Sequence, residues 1–256
     1  MKLVIVGGGN MGGAIAQGLI GSSYVDSRDI TVINKSKSRE YGADIQSVLN
    51  DYSSLENADI VILAVKPWLI EEVLKENSSR LSKNEQIIIS VAAGVTLENL
   101  KSCTPDDVAL FRVMPNTAIA QKQSMTFISA SNANNKQIEQ VCSLFEELGK
   151  VEIIEEKLFS AATALSGCGI AYAFRYMRAA TEGGVEMGIR PELALKAVLQ
   201  TMKGAVELLE ATGTHPEAEI DKVTTPGGIT IKGLNEMEHN GFSSSVIKGL
   251  KASNIG

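Results

Sequence analysis

The chain has 256 residues, 44% of them hydrophobic and 21% charged, an ordinary globular composition that leaves room for one large domain or two modest ones. Its formal net charge of −6 excludes a general nucleic-acid or anionic-membrane partner, because both need a basic face. Cys103, Cys142 and Cys168 form no CxxC pair and His215 and His239 are the only histidines, so neither a disulfide framework nor a metal site is expected.

The opening run Lys2–Val6 reads as a strand without a basic leader, and no later apolar run approaches a membrane span, so a cytoplasmic protein is expected. Leu3–Val6, Ile30–Ile33, Ile60–Val65, Ile87–Val91 and Ala109–Val113 are continuous rather than alternating apolar runs, the mark of strands covered on both faces. Helix candidates lie between them, at Trp68–Glu76 after a proline and at Leu97–Lys101 after Thr96. Met125–Ser129 and Val151–Ile154 read as two further strands flanking a helix over Asn135–Leu148. Alternating β and α units of this kind predict an α/β, Rossmann-type doubly wound sheet.

From about Leu158 the texture becomes helical only. "GIAYAFRYMRAATEGGVEMG" is apolar around most of its circumference, which a lone surface helix would not tolerate. Pro191 sits at a first-turn position for the next helix, which closes at Gly213, and a final helix spans about Ser244 to Ala252. So thin a helical layer predicts burial against a second copy of the chain. The chain thus divides into residues 1–155, a Rossmann-type α/β domain, and residues 156–256, an all-helical domain expected to dimerise.

The stretch "VIVGGGNMGG" places Gly7, Gly9 and Gly12 in GxGxxG spacing between a strand and a helix. The first glycine permits the turn, the second admits a pyrophosphate, and the third lets helix and strand pack closely. Asn10 and Met11 open the helix, whose free N–H groups favour that pyrophosphate. An acid that binds the NAD ribose is expected about 20 residues on. Here the second strand ends in Asn34, followed by Lys35, Ser36, Lys37 and Arg39. Amide, hydroxyl and cationic groups suit a 2′-phosphate where an acid would repel it, so NADP(H) is expected over NAD(H). Three further strand ends are small or polar: "AVKP" (Ala64, Val65, Lys66, Pro67), "AAGVT" beginning Ala92, Ala93, Gly94, and "MPNT".

Taken together, "GGGNMGGAIAQGL", "ADIVILAVKPW", "ISVAAGVTLENL", "RVMPNT", "ALSGCGIAYAF", "EGGVEMGI" and "HPEAEIDKVTTPGGITIKGLNEMEHNGF" resemble pyrroline-5-carboxylate reductases, in the family order across nearly the whole chain. The resemblance implies NAD(P)H-dependent reduction of 1-pyrroline-5-carboxylate to L-proline, the last step of proline biosynthesis. It also implies a homodimer with interlocked C-terminal helices, assembled into larger rings in some members. Carried over by position, Thr225 and Thr230 with the backbone of Gly228, Ile229 and Thr230 would hold the substrate carboxylate. The turn Ser166, Gly167, Cys168, Gly169 would face the substrate ring, and Thr230 would contact the imine. Asn34, Lys35 and Ser36 would take the adenosine ribose or its phosphate.

The chain departs from the family pattern at Asp51, where an adenine-side Asn is frequent, and at Arg175 and Arg178, unusual charges in the long helix. Cys168 and Ile170 replace the Ser and Pro of SGSGPAY, Ala118 replaces the proline of NTP, and Ile229 stands where Thr or Ala is usual. The SGCGI and NTA departures touch the substrate side. They motivate two alternatives, a paralogue acting on another cyclic imine and a non-catalytic NADP-binding regulatory protein. The β-hydroxyacid dehydrogenases, which share the N-terminal fold, use a helix lysine that "LSGCGIAYAF" lacks.

Overall fold

The structure, a computed structural model, describes residues 1–37, 39–42, 44–81 and 85–254. These form two compact units, residues 1–167 and 168–254.

In the first unit, β1 (Leu3–Val6) leads into α1 (Asn10–Gly18), followed by β2 (Ile30–Asn34), β3 (Gln46–Leu49) and β4 (Ile60–Leu63). Then come α2 (Ile70–Glu76), β5 (Ile87–Ser90), α3 (Leu97–Lys101), β6 (Ala109–Met114), β7 (Ser124–Ser131), α4 (Asn135–Glu146), β8 (Gly149–Ile153) and the short α5 (Phe159–Ala162). The eight strands form one sheet in the order β3-β2-β1-β4-β5-β6-β7-β8. All neighbours are parallel except β6 and β7. The first six strands follow the order 3-2-1-4-5-6 of dinucleotide-binding folds, with the reversal of winding between β1 and β4.

Successive side chains of a strand point to opposite faces, and β1 shows the consequence. Leu3 and Ile5 enter a core with Ile15 of α1, Leu19 just past it and Leu144 of α4, whereas Val4 and Val6 enter a second core with Leu74 and Leu100 of α2 and α3. Both faces being covered is why the central strands read as unbroken apolar runs.

The sequence reading missed β3. Its residues Gln46–Leu49 are exposed or half-exposed, so they carry no buried-strand signature. The connection from β2 to β3 contains no regular helix among its described residues. Tyr41 and Ile45, both 9% exposed, drop from it into the first core and supply the cover that a crossover helix would give. α3 forms where read because Thr96 and Asn99 make a reciprocal capping box.

The second unit consists of α6 (Gly169–Glu186), α7 (Pro191–Thr212), α8 (Pro216–Lys222), α9 (Ile229–His239) and α10 (Phe242–Ser253). α6 and α7 meet where Gly184 faces Ala194; a Cβ on Gly184 would lie 3.1 Å from the alanine Cβ. Gly213 ends α7 with φ +62°, the left-handed stop expected of it. α8 was not foreseen, although Pro216 at its first position, the His215 cap and Glu217 and Glu219 mark a helix start. Two apolar grooves remain on these helices. One of about 800 Å³ is lined by Phe174, Val185, Leu195 and Leu199, and one of about 840 Å³ by Tyr176, Met202, Met237 and Phe242. No helix of the described residues is long and apolar enough to cross a membrane.

Candidate dinucleotide cleft and substrate segments

The glycines after β1 differ in what their missing side chains permit. Gly7 has φ +104°, and a Cβ there would fall 2.7 Å from the Ala64 carbonyl oxygen. At Gly12 a Cβ would fall 1.9 Å from the Gly7 carbonyl oxygen, so α1 can approach β1 only with glycine at that position. Gly9 has no protein atom within 4 Å of a Cβ position. It is the N-cap of α1 and provides no side-chain cap. The first N–H groups of the helix are therefore offered outward, as an anion site requires.

Gly8 is the residue that the GxGxxG spacing passes over. The Tyr41 hydroxyl donates to its carbonyl oxygen at 3.2 Å. A Cβ on Gly8 would collide with Tyr41 Oη at 2.0 Å and Asn34 Oδ1 at 2.2 Å. Burial pushes the Tyr41 phenol up, against the opposing pull of its hydrogen bond with Asn34. Asn34 is only 6% exposed, and its Nδ2 donates to Ser47 Oγ of β3 at 3.2 Å. Asn34 lines the cleft while bracing its wall.

The cleft, about 680 Å³, opens at the carboxyl ends of β1, β2, β4 and β5, where ligands of doubly wound sheets bind. It gathers Gly7, Gly9, Asn10 and Met11 from the first turn, Asn34–Lys37 and Arg39 from the second, Ala64–Pro67 from the third, and Ala92 and Ala93 from the fourth. Gly8 and Val91, just past strand ends, and Leu69, on the turn that starts at Pro67, join the lining without having been singled out. Gly12 and Gly94 are not part of the lining. Gly12 lies behind the turn, and Gly94 turns the chain towards α3 with φ +78°.

Among the described residues four cations, Lys35, Lys37, Arg39 and Lys66, line the cleft, and no carboxylate does. Lys35 Nζ reaches out to Glu72 Oε1 of α2 at 3.0 Å, and that hydrogen bond raises the lysine pKa. Lys37 and Arg39 have no ion pair among the described residues. Open backbone N–H groups, a glycine without steric cover and an excess of cations fit an anionic dinucleotide. Trp68, the chain's sole tryptophan, is 74% exposed on the turn between Pro67 and Leu69.

Of the residues carried over for substrate, Ser166, Gly167 and Cys168 lie in a six-residue π-helix, Thr163–Cys168, rather than in a turn, and Gly169 opens α6. Thr163 Oγ1 donates to the Phe159 carbonyl at 2.7 Å, and Ser166 Oγ to that of Met125 at 3.4 Å. Thr225-Pro226-Gly227-Gly228 is a tight turn closed by Gly228 N–H donating to the Thr225 carbonyl at 2.9 Å. Proline second and a glycine with φ +73° third is the type II pattern. Gly228 then serves as the N-cap of α9, without a side-chain cap, and Ile229 is 87% exposed. Thr230 is the second residue of the helix, so it does not occupy the cap position. None of these eight residues lines the cleft of the first unit.

The departure at Ala118 has a local account. Its N–H, which proline lacks, donates to Asn116 Oδ1 at 2.9 Å and holds the turn Thr117–Gln121 in place. Nearby, the Arg112 guanidinium pairs with Glu156 at 3.1 Å and stacks 4.6 Å from the Phe159 ring centroid. Glu156 also accepts from Leu97 N at 2.7 Å, tying the chain beyond β8 to the start of α3.

A family model described as NADP oxidoreductase, coenzyme F420-dependent, matches residues 2–94, and a model for pyrroline-5-carboxylate reductase dimerisation matches residues 156–254. A pyrroline-5-carboxylate reductase of Arabidopsis thaliana is 35% identical over 98% of this chain and 92% of its own length. The chain belongs to the pyrroline-5-carboxylate reductase family. A family member from Dictyostelium discoideum is 38% identical over 98% of this chain, which spans 48% of that protein's length. The solved pyrroline carboxylate reductase of Plasmodium falciparum, a structure with NADP bound, superposes with a TM-score of 0.92 at 28% identity. That likeness covers 99% of this chain and 95% of the other.

Proposed function

We propose that the chain reduces 1-pyrroline-5-carboxylate to L-proline with NADPH as the preferred reductant. The observation that carries this reading is the cleft at the β1/β4 reversal, lined by cations and glycine, in a chain of this family. When bound, a reduced nicotinamide dinucleotide supplies the hydride that adds to the imine carbon. The chain's own residues bind and orient. The N–H groups after Gly9 hold the pyrophosphate, Lys37 and Arg39 attract a 2′-phosphate, and Ala64–Pro67 with Ala92–Gly94 line the remainder. Thr225 and the uncapped N–H groups of Ile229 and Thr230 hold the substrate carboxylate. The Thr230 hydroxyl, free of any capping duty, orients the imine nitrogen that takes up the proton. Ser166–Gly169 flanks the ring.

Residues 1–155 form the dinucleotide-binding domain and residues 156–256 the dimerisation and substrate domain. Self-association runs through the apolar grooves of the helical unit, and the dimers assemble further into a ring. The setting is the cytoplasm, without nucleic acid or metal as partner. The presence of the Thr225-Pro226-Gly227-Gly228 turn followed by Thr230 favours a working reductase over a non-catalytic binding protein.

The test is imine-dependent oxidation of NADPH, with NADH in parallel. Turnover with NADPH favoured supports the reading; intact NADPH binding without turnover moves it to a regulatory protein or another imine. Thr230→Val should lower kcat/KM by about tenfold or more. Full activity in that variant would remove the threonine from the mechanism.

A further inference from the structure

We propose that Glu72 sets the selectivity of the cleft between phosphorylated and unphosphorylated dinucleotides, by holding Lys35 away from the ligand. The inference rests on the dinucleotide reading of that cleft and adds a residue that lies outside its lining.

Lys35 directly follows Asn34 at the end of β2, and it lines the cleft. A cation there would be the nearest in sequence to a ribose 2′-phosphate. Its ammonium is instead engaged by the Glu72 carboxylate at 3.0 Å. Glu72 belongs to the first turn of α2, the helix that follows the Ala64–Pro67 turn. The pair therefore bridges two of the four turns that build the cleft. Two consequences follow from the charges. Lys35 offers little net charge to an incoming phosphate, and the carboxylate adds a negative charge at the same rim.

The carboxylate acts only on ligands that carry the extra phosphate. Dinucleotides without it present only a neutral ribose to this part of the rim. Their affinity depends on the glycine turn, which Glu72 does not touch. In the chain as it stands, Lys37 and Arg39 are left to draw the 2′-phosphate, since neither has an ion pair among the described residues. Glu72 is thus a brake on NADP(H) preference, and its removal unmasks a third cation.

Both partners are largely solvent-exposed, at 64% and 45%. The effect is accordingly modest and sensitive to salt. Glutamine at position 72 keeps the side-chain length and α2 intact.

The experiment is calorimetric titration of NADPH and NADH into the full chain, its Glu72→Gln and Lys35→Gln variants and the double variant, at low and high salt. Glu72→Gln should tighten NADPH binding about two- to fivefold and leave NADH binding unchanged. Lys35→Gln alone leaves the carboxylate unpaired and should weaken NADPH binding about two- to fivefold, and in the double variant both shifts should vanish. Raised salt should shrink the gain. An unchanged NADPH-to-NADH ratio in Glu72→Gln overturns the proposal, as does a gain that survives in the double variant. If neither dinucleotide binds the unaltered chain, the reading of the cleft fails and this inference with it. If both bind and the ratio stays fixed, only the inference fails.

Discussion

The two units bury their apolar side chains in opposite ways. In the first, strands and helices enclose two continuous cores, and residues such as Phe111, Phe145 and Leu3 have no exposure at all. In the second, among the described residues, Ala194 is the only hydrophobic residue of the buried core, while sixteen of the twenty-one large exposed hydrophobics belong to this unit. Helices with that much uncovered apolar surface do not specify a stable layer alone. The first unit encloses its own cores; the second, which the dimerisation model matches, leaves its apolar faces uncovered within one chain.

Breaking that contrast should have its largest effect in the second unit. Phe174, 58% exposed, lines the groove between α6 and α7. Phe174→Asp should raise the dimer dissociation constant at least about a hundredfold, since two symmetric copies each lose about 1.5–3 kcal/mol of apolar burial. Sedimentation velocity reads this directly, and an unchanged mass would remove the groove from the interface.

The first unit sharpens the contrast through its glycines. Gly12→Ala places a methyl group on the Gly7 carbonyl and should cost about 2–4 kcal/mol in urea unfolding. Gly9→Ala meets no protein atom, so stability should stay within about 0.5 kcal/mol while dinucleotide binding weakens. Equal stability losses in the two variants would contradict the division of roles.

The smallest effect concerns acid. Asp26 caps the turn Ser27–Asp29, and its hydrogen bond with Arg28 lowers its pKa from 3.8 to about 2. A carboxylate with a depressed folded pKa contributes stability that is complete above the ordinary value and is lost as pH falls towards the depressed one. Asp26→Asn should therefore flatten the acid limb of the thermal stability profile between pH 3.8 and about 2, with little change at neutral pH.

What the sequence made legible follows the same division. Buried strands and capped helices announce themselves: β1, β4 and β5 by unbroken apolar runs, α3 by its capping box, and the end of α7 by Gly213. β3 does not, because an edge strand with one neighbour needs no apolar run. The clamp on Gly8 was equally hidden. Tyr41 sits among polar and charged residues, and only the fold brings its hydroxyl under the glycine turn. The cleft lining was readable because doubly wound sheets fix where strand ends lie. The pairing of Lys35 was not, since Glu72 lies 37 positions away.

Trp68 gives the cleft an optical property that no other part of the chain shares. As the sole indole, standing exposed beside Pro67 and Leu69 of the cleft lining, it is the only strong intrinsic emitter in the protein. Its emission overlaps the absorption of reduced nicotinamide, so occupancy of the cleft can be followed by energy transfer without a label. Because one residue emits, each intensity change is assigned to one turn of the backbone.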